Sequence, residues 1–214
     1  MSKRIFVTAT NTDIGKTYTS KLLIKEFASR GIRIGAIKLI ETGVVDFAPD
    51  AEALLACVQE VNLEFKDIKV QDIVPITYTL PAAPYVSSNV AKLDLELLNA
   101  AVEKLEKLCD VLIIEGAGGV YVPLDEEYMM IDLIEYFQAS TLLVTHCSLG
   151  CINDTILSER ALEDKNIRYL TAFNCRGNDE SFKDISEPYF ENTREKVLKV
   201  DGDIDTICDV LYNL

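Results

Sequence analysis

The sequence predicts an α/β fold, a doubly wound, mainly parallel sheet between two layers of helices. Three observations predict it. Short apolar runs alternate with amphipathic segments of helical spacing along the chain, the pattern that builds parallel sheets. Residues 110–115 (DVLIIE) are apolar almost throughout, as a strand covered on both faces must be. The first apolar run, Ile5-Phe6-Val7, leads through a polar turn into Gly15-Lys16-Thr17, the end of a phosphate-binding loop. In that triplet Gly15 lets backbone approach a polyphosphate, Lys16 brings a positive charge to the terminal phosphates, and the Thr17 hydroxyl can ligate Mg²⁺. Thr10 stands where the strict pattern has its first glycine. The loop makes the expected architecture a P-loop NTPase-like three-layer α/β/α arrangement.

Each element follows in order. A helix is expected over 18–30, with Leu22, Leu23, Phe27 and Ala28 at helical spacing and Gly31 as its stop. Residues 33–40 (RIGAIKLI) read as the second strand, followed by Glu41-Thr42-Gly43. A helix over 47–59 holds the apolar run AEALLACV, with Asp50 as its cap. Residues 61–92 read as irregular, broken by Pro75, Pro81 and Pro84. Over 94–108, Leu95, Leu98, Val102, Leu105 and Leu108 share one helix face. The strand 110–115 precedes Gly116-Ala117-Gly118-Gly119 and a loop with Pro123. A helix over 129–137, a strand over 141–145, a helix capped by Asn153 and a strand over 168–174 come next. Helices near 186–198 and 204–212 close the chain. No repeat, low-complexity run or linker interrupts it, so residues 1–214 read as a single domain.

Composition excludes whole classes of function. Lys and Arg number 21 against 35 Asp and Glu, a net charge of −14. Such a chain has no general electrostatic footprint for nucleic acid or an anionic membrane. Phosphate must be held by local N–H groups, a few lysines and a metal ion. The six cysteines (57, 109, 147, 151, 175, 208) lack a framework spacing and read as reduced, buried thiols of a cytoplasmic protein. No run reaches transmembrane length, and the N-terminus lacks a signal-peptide pattern.

Ligands of such sheets sit outside the carboxyl ends of the strands. Segments 9–17, 38–43, 115–119, 146–153 and 174–178 should therefore share one mouth. Lys38, a charge at an apolar strand end, calls for an anion beside it. Glu115 ends the most apolar strand, where phosphate-loop enzymes keep a metal-linked carboxylate. With Thr17 and Asp50 it would form an all-oxygen Mg²⁺ site. The plainer alternatives are a lysine reaching the surface, a strand-end acid facing solvent and a helix cap at Asp50. His146-Cys147-x3-Cys151 has too few ligands for zinc and reads as packing. A Ser–His–Asp triad would need His146, the single histidine, and no Gly-x-Ser-x-Gly elbow is present. The N–H groups that open the helix after Leu149-Gly150-Cys151-Ile152-Asn153 could hold a carboxylate.

With these pieces placed, the chain resembles the dethiobiotin synthetases nearly end to end. That family's G-T-D-T-x-x-G-K-T is similar to residues Ala9 to Thr17, and its K-P-x-x-S-G to Lys38 to Gly43. Its E-G-A-G-G is matched by Glu115 to Gly119, and its L-G-x-I-N by Leu149 to Asn153. Pro81 and Pro84 fit its proline pair. The resemblance implies ATP-dependent ligation: 7,8-diaminopelargonate takes up CO₂ as a carbamate, the γ-phosphate is transferred to it, and the second amine closes the ureido ring. It implies Lys38, Lys16 and Thr12 as catalytic residues, and Thr17, Asp50 and Glu115 as Mg²⁺ ligands. Nucleotide binding would fall to Asp13, Ile14, Gly15, Lys16, Thr17, Tyr18, Asp50, Glu115, Gly116, Ala117, Gly118, Asn174 and Cys175. Substrate binding would fall to Thr12, Lys38, Thr42, Gly116, Gly118, Leu149, Gly150, Cys151 and Asn153. Family members are homodimers in which the 149–153 turn of one subunit grips the substrate carboxylate bound to the other.

Departures from the family pattern are expected to matter. Ala9 crowds the loop, Leu39 replaces proline, and Glu41 places a negative charge near the carbamate. Cys175 and Arg176 are unusual beside the base. The tail after Val200 lacks the proline-containing segment that edges the purine, so other nucleoside triphosphates could compete with ATP. The alternative from another class is a regulatory ATPase of the partitioning type. Its signature lysine is missing where this chain has Ala9 and Thr10. Corrinoid amide synthases are longer, and nucleotide kinases need an arginine-rich lid.

Overall fold

Five successive residues of one strand, Val111–Glu115, are all buried. Side chains alternate between the two faces of a strand, so both faces must be covered. The computed structural model, which describes residues 2–177, 179 and 181–214, shows how. In chain order come β1 (Lys3–Ala9), α1 (Lys16–Ser29), β2 (Ile34–Lys38), β3 (Ile40–Thr42) and α2 (Pro49–Val61). Then follow α3 (Val70–Ile73), β4 (Ile76–Tyr78), α4 (Pro84–Ser87), α5 (Leu95–Glu106) and β5 (Val111–Glu115). The second half holds α6 (Met130–Tyr136), β6 (Ser140–His146), α7 (Cys151–Asp164), β7 (Tyr169–Asn174), α8 (Phe182–Ile185), α9 (Glu187–Thr193) and α10 (Ile204–Asn213).

The main sheet is parallel, in the order β2-β5-β1-β6-β7. Ile5, Phe6 and Val7 of the middle strand share one buried core with Leu23, Ile24 and Phe27 of α1, and α2 and α10 pack against α1. The register pairs Lys38 and Val7 with Glu115, and His146 with Asn174. Those pairings bring the carboxyl ends of the strands to one edge, as the doubly wound pattern requires.

Several boundaries depart from expectation. The strand predicted over 33–40 stops at Lys38, and Ile40–Thr42 turns away to pair in parallel with β4. Residues 61–92 are therefore not irregular. Asn62 organises them: its amide donates to the carbonyls of Ile34 (2.9 Å) and Leu108 (3.1 Å), and its oxygen accepts from Glu64 N–H (3.1 Å). Pro84 starts α4 rather than breaking a helix, a position where its missing N–H costs nothing. Asn153 does not cap α7. Gly150, at φ +101°, holds the cap position and Asn153 lies in the first turn, its amide on Asp154. The helix expected over 186–198 is shorter, since α9 ends at Thr193 and a separate turn of helix, α8, precedes it; the chain then returns as extended backbone along β7, with Phe173 N–H on Leu198 O and Val200 N–H on Phe173 O.

The expectation of six reduced thiols fails at one pair. Cys147 and Cys175 form a disulfide, with Cα atoms 4.9 Å apart. They follow the register partners His146 and Asn174 on adjacent strands, so strand order delivers them to each other. Cys57, Cys109, Cys151 and Cys208 are free and buried. Among the described residues no helix is long and apolar enough to cross a membrane.

Candidate nucleotide and substrate site

The phosphate loop is held from β7. Gly15 sits at φ +102°, and a side chain there would run into the Asn174 amide. That amide donates to Ile14 O (2.7 Å), and the Arg176 guanidinium donates to Asp13 O. Only glycine permits this backbone shape together with so close an approach. The helix begins at once, at Lys16 rather than Tyr18, so its first N–H groups face the loop. Lys16 Nζ arches back to donate to Asn11 O (3.2 Å) and Gly118 O (2.9 Å). Burial, then repulsion from Lys38, lowers its pKa to about 8.

Lys38 is 3% exposed and Glu115 fully buried, so neither the surface lysine nor the solvent-facing acid is realised. Lys38 Nζ donates to Asp50 Oδ2 (2.7 Å), Glu115 Oε1 (2.8 Å) and Gly116 O (3.2 Å). Burial pushes this ammonium down, but the Glu115 and Asp50 carboxylates outweigh it and hold it above the ordinary lysine range. Burial likewise pushes the Asp50 carboxyl up, and Lys38 more than reverses that. Glu115 also accepts from Thr17 Oγ1 (2.8 Å) and Ser20 Oγ (2.7 Å). Ser20 went unnoticed in the sequence. The signal was its place three residues after Thr17 on the same face of α1.

Asp50 is not the cap of α2. Ala48 holds that position, and Glu41 supplies the acceptors from outside the helix, taking Asp50 N–H (2.9 Å) and Ala51 N–H (3.0 Å). The charge expected near the carbamate is thus committed to backbone. Burial raises the Glu41 pKa, and these two N–H bonds oppose the rise.

A cleft of about 550 Å³ opens over these groups. Asp13, Gly15, Lys16, Thr17 and Tyr18 line one side, and Lys38, Thr42 and Asp50 another. Thr12, Ala117 and Gly118 complete it near Pro81 and Pro84. Ile14, Glu115, Gly116 and Asn174 lie behind the wall, tied to it by the bonds given above. Cys175 is committed to the disulfide. The turn 149–153 does not line the cleft. Leu149 is 85% exposed, and Gly150 and Asn153 face solvent. Cys151 is buried among Cys147, Phe173, Phe182 and Phe190, with its N–H on Ser148 O (3.1 Å). Below the turn, His146 Nδ1 lies 2.5 Å from Ser148 Oγ and Nε2 3.0 Å from Asp154 Oδ2.

Two carboxylate oxygens thus converge on one cationic centre, with a hydroxyl beside them. Among the described residues no group of three or more His, Cys, Asp or Glu could hold a metal by itself. An oxygen-only set this sparse fits Mg²⁺, which keeps waters and takes phosphate oxygens as ligands.

Comparison with known proteins decides the family. A family model described as "AAA domain" matches residues 3–209. The ATP-dependent dethiobiotin synthetase of Sulfurovum sp. is 42% identical over 187 residues, covering 87% of this chain and 89% of that one. This chain belongs to the dethiobiotin synthetase family. The Wolinella succinogenes synthetase is 34% identical over 214 residues, 99% of each chain. That of Methanococcus vannielii is 34% identical over 197 residues, 90% of this chain and 86% of that one. Solved structures show the fold the synthetases share with other proteins. A plasmid partition protein from Borrelia burgdorferi has TM-score 0.60 at 10% identity, covering 99% of this chain and 98% of that one. The MinC:MinD cell division complex of Aquifex aeolicus has TM-score 0.55 at 12% identity, covering 92% and 79%. At such identities the likeness shows the fold alone.

Proposed function

We propose that residues 1–214 form one ATP-dependent dethiobiotin synthetase domain, a cyclo-ligase that joins CO₂ to 7,8-diaminopelargonate and closes the ureido ring, releasing ADP and phosphate. The observation that carries this reading is Lys38, held between Asp50 and Glu115 across the cleft from Lys16. A carbamate and a γ-phosphate repel each other, so a site that joins them needs fixed positive charge on both sides. Lys16 is placed to meet the terminal phosphates, and Lys38 to meet the carbamate oxygens. Thr12 and Thr42 line the cleft where their hydroxyls can orient the amines, and Gly118 leaves room for substrate against backbone. Phosphoryl transfer gives a carbamic–phosphoric anhydride. Attack by the second amine closes the five-membered ring and expels phosphate.

Thr17, Asp50 and Glu115 would hold Mg²⁺, which when bound neutralises the polyphosphate. In our reading the active form is a cytoplasmic homodimer, with the 149–153 turn of one subunit closing the substrate site of the other. The exposure of Leu149, Gly150 and Asn153 supports that assignment. The test is incubation with diaminopelargonate, bicarbonate, Mg²⁺ and ATP, with the ureido product read by mass. Phosphate release that needs no diaminopelargonate and yields no ureido product would overturn it and favour a partitioning-type ATPase.

A further inference from the structure

We infer that Glu41 is a positioning residue that sets Asp50 in the site by capping helix α2 from a neighbouring strand. The start of α2 has no cap of its own. Ala48 has no acceptor side chain, and Pro49 has no N–H. The regular helix bonds begin with Glu52 N–H on Ala48 O, which leaves the N–H groups of Asp50 and Ala51 without helical partners. Glu41 takes both, one on each carboxylate oxygen, at 2.9 and 3.0 Å, and is 4% exposed.

The chain geometry makes this a second grip on one residue. Lys38 and Glu41 stand three positions apart where β2 ends and β3 begins. Lys38 holds the Asp50 side chain at 2.7 Å, and Glu41 holds its backbone N–H. Glu41 is itself anchored, since β3 pairs with β4 and sets Glu41 opposite Thr77. Without Glu41 the first turn of α2 loses its acceptors, and Asp50 is held only through its side chain, by Lys38 and Thr17. The negative charge of Glu41, at the wall of the cleft, is partly offset by the positive end of the helix.

The inference rests on the reading of Asp50 as a metal ligand, and the test separates the two. Mn²⁺ affinity of the enzyme–ADP complex is measured by electron paramagnetic resonance, alongside KM for diaminopelargonate. Glu41→Ala is expected to weaken Mn²⁺ binding about fivefold to tenfold, the size of a lost helix cap, and to leave that KM within about twofold. Adding Ala48→Ser to Glu41→Ala supplies an ordinary cap from an extended residue and is expected to restore affinity to within about twofold. Asp50→Ala is expected to weaken Mn²⁺ more, and adding Glu41→Ala to it to change nothing further. Glu41→Gln, which keeps one acceptor oxygen, is expected to lie between wild type and Glu41→Ala, and decides the matter should Glu41→Ala not fold. The inference is overturned if Asp50→Ala weakens Mn²⁺ but Glu41→Ala or Glu41→Gln does not. Additive losses or no rescue by Ala48→Ser overturn it as well. Unchanged Mn²⁺ affinity in Asp50→Ala would refute the metal reading itself.

Discussion

The phosphate side of the mouth and the 147–153 turn lie at ends of the same parallel sheet, yet they are finished to different degrees. On the phosphate side the charged groups are already engaged: Lys38 with Asp50 and Glu115, Glu115 with Thr17 and Ser20, Lys16 with two carbonyls. The turn is braced from below, by the Cys147–Cys175 disulfide, by His146 between Ser148 and Asp154, and by Cys151 packed among Phe173, Phe182 and Phe190. Its upper residues face solvent. Strand register within one chain assembles a phosphate site, because Lys38 and Glu115 are paired neighbours. Among the described residues the turn does not line the cleft. The difference supports our proposal that one protomer supplies the nucleotide half of the site and that a second copy completes the substrate half.

The largest expected effect breaks the finished side. Lys38→Ala removes the cation between two carboxylates and should lower kcat by at least about 10³-fold, as loss of a fixed transition-state charge does. Circular dichroism should remain that of the folded protein, since Mg²⁺ can occupy the carboxylates in its place. Turnover above a tenth of wild type would move the chemistry away from this lysine.

The second effect concerns the link between the two regions. Cys175 follows Asn174, which grips the phosphate loop, and Cys147 leads into the turn. The bond closes a loop across 28 positions, so Cys147→Ser should cost about 3 kcal/mol of stability in urea unfolding. Stability equal to wild type under non-reducing conditions would show that the strand pairing alone holds these ends together.

The third sharpens the comparison itself. Asn153→Asp places a like charge where the substrate carboxylate is proposed to dock, and should raise KM for diaminopelargonate about tenfold to thirtyfold while leaving KM for ATP unchanged. Mixed in equal amounts with Lys38→Ala subunits and assayed at diaminopelargonate well below the raised KM, it should recover about a quarter of wild-type activity, because half the dimers then hold one intact site made from both chains. No recovery would assign the turn to its own subunit.

These regions also differ in how legible they were. The alternation of apolar runs and amphipathic helices was enough for the doubly wound sheet, because burial on both faces leaves so plain a mark on strands such as β5. The meeting of Thr17, Lys38 and Glu115 was legible because each stands at a strand end or helix start on one edge of the sheet. The capping role of Glu41 was missed, since a cap reached from nine residues upstream lies outside any local window, and the nearest acid, Asp50, took the role by proximity. The cysteine pair was missed for the same reason in another form: spacing along the chain does not reveal that β6 and β7 are neighbours. Asn62 hid the order of residues 61–92, because its partners, Ile34 and Leu108, are distant in sequence.

The smallest effect is one of pH, and it separates binding from folding on the phosphate side. Lys16 titrates at about 8 in the folded, ligand-free protein, below the ordinary 10.5 of the unfolded chain. Between those values the unfolded chain binds more protons, so this group makes stability rise with pH through that window. Below 8 both states carry the charge, and the cost of burying it is felt in full. Nucleotide binding should run the other way. The ammonium that meets the phosphates is progressively lost above pH 8, so ATP affinity by calorimetry should fall, by up to about tenfold per pH unit. Lys16→Met should flatten both trends together. An ATP affinity that holds steady from pH 7 to 9.5 in the unmutated protein would mean that the lysine keeps its proton on the backbone carbonyls of Asn11 and Gly118, and that the loop's N–H groups carry the phosphate charge without it.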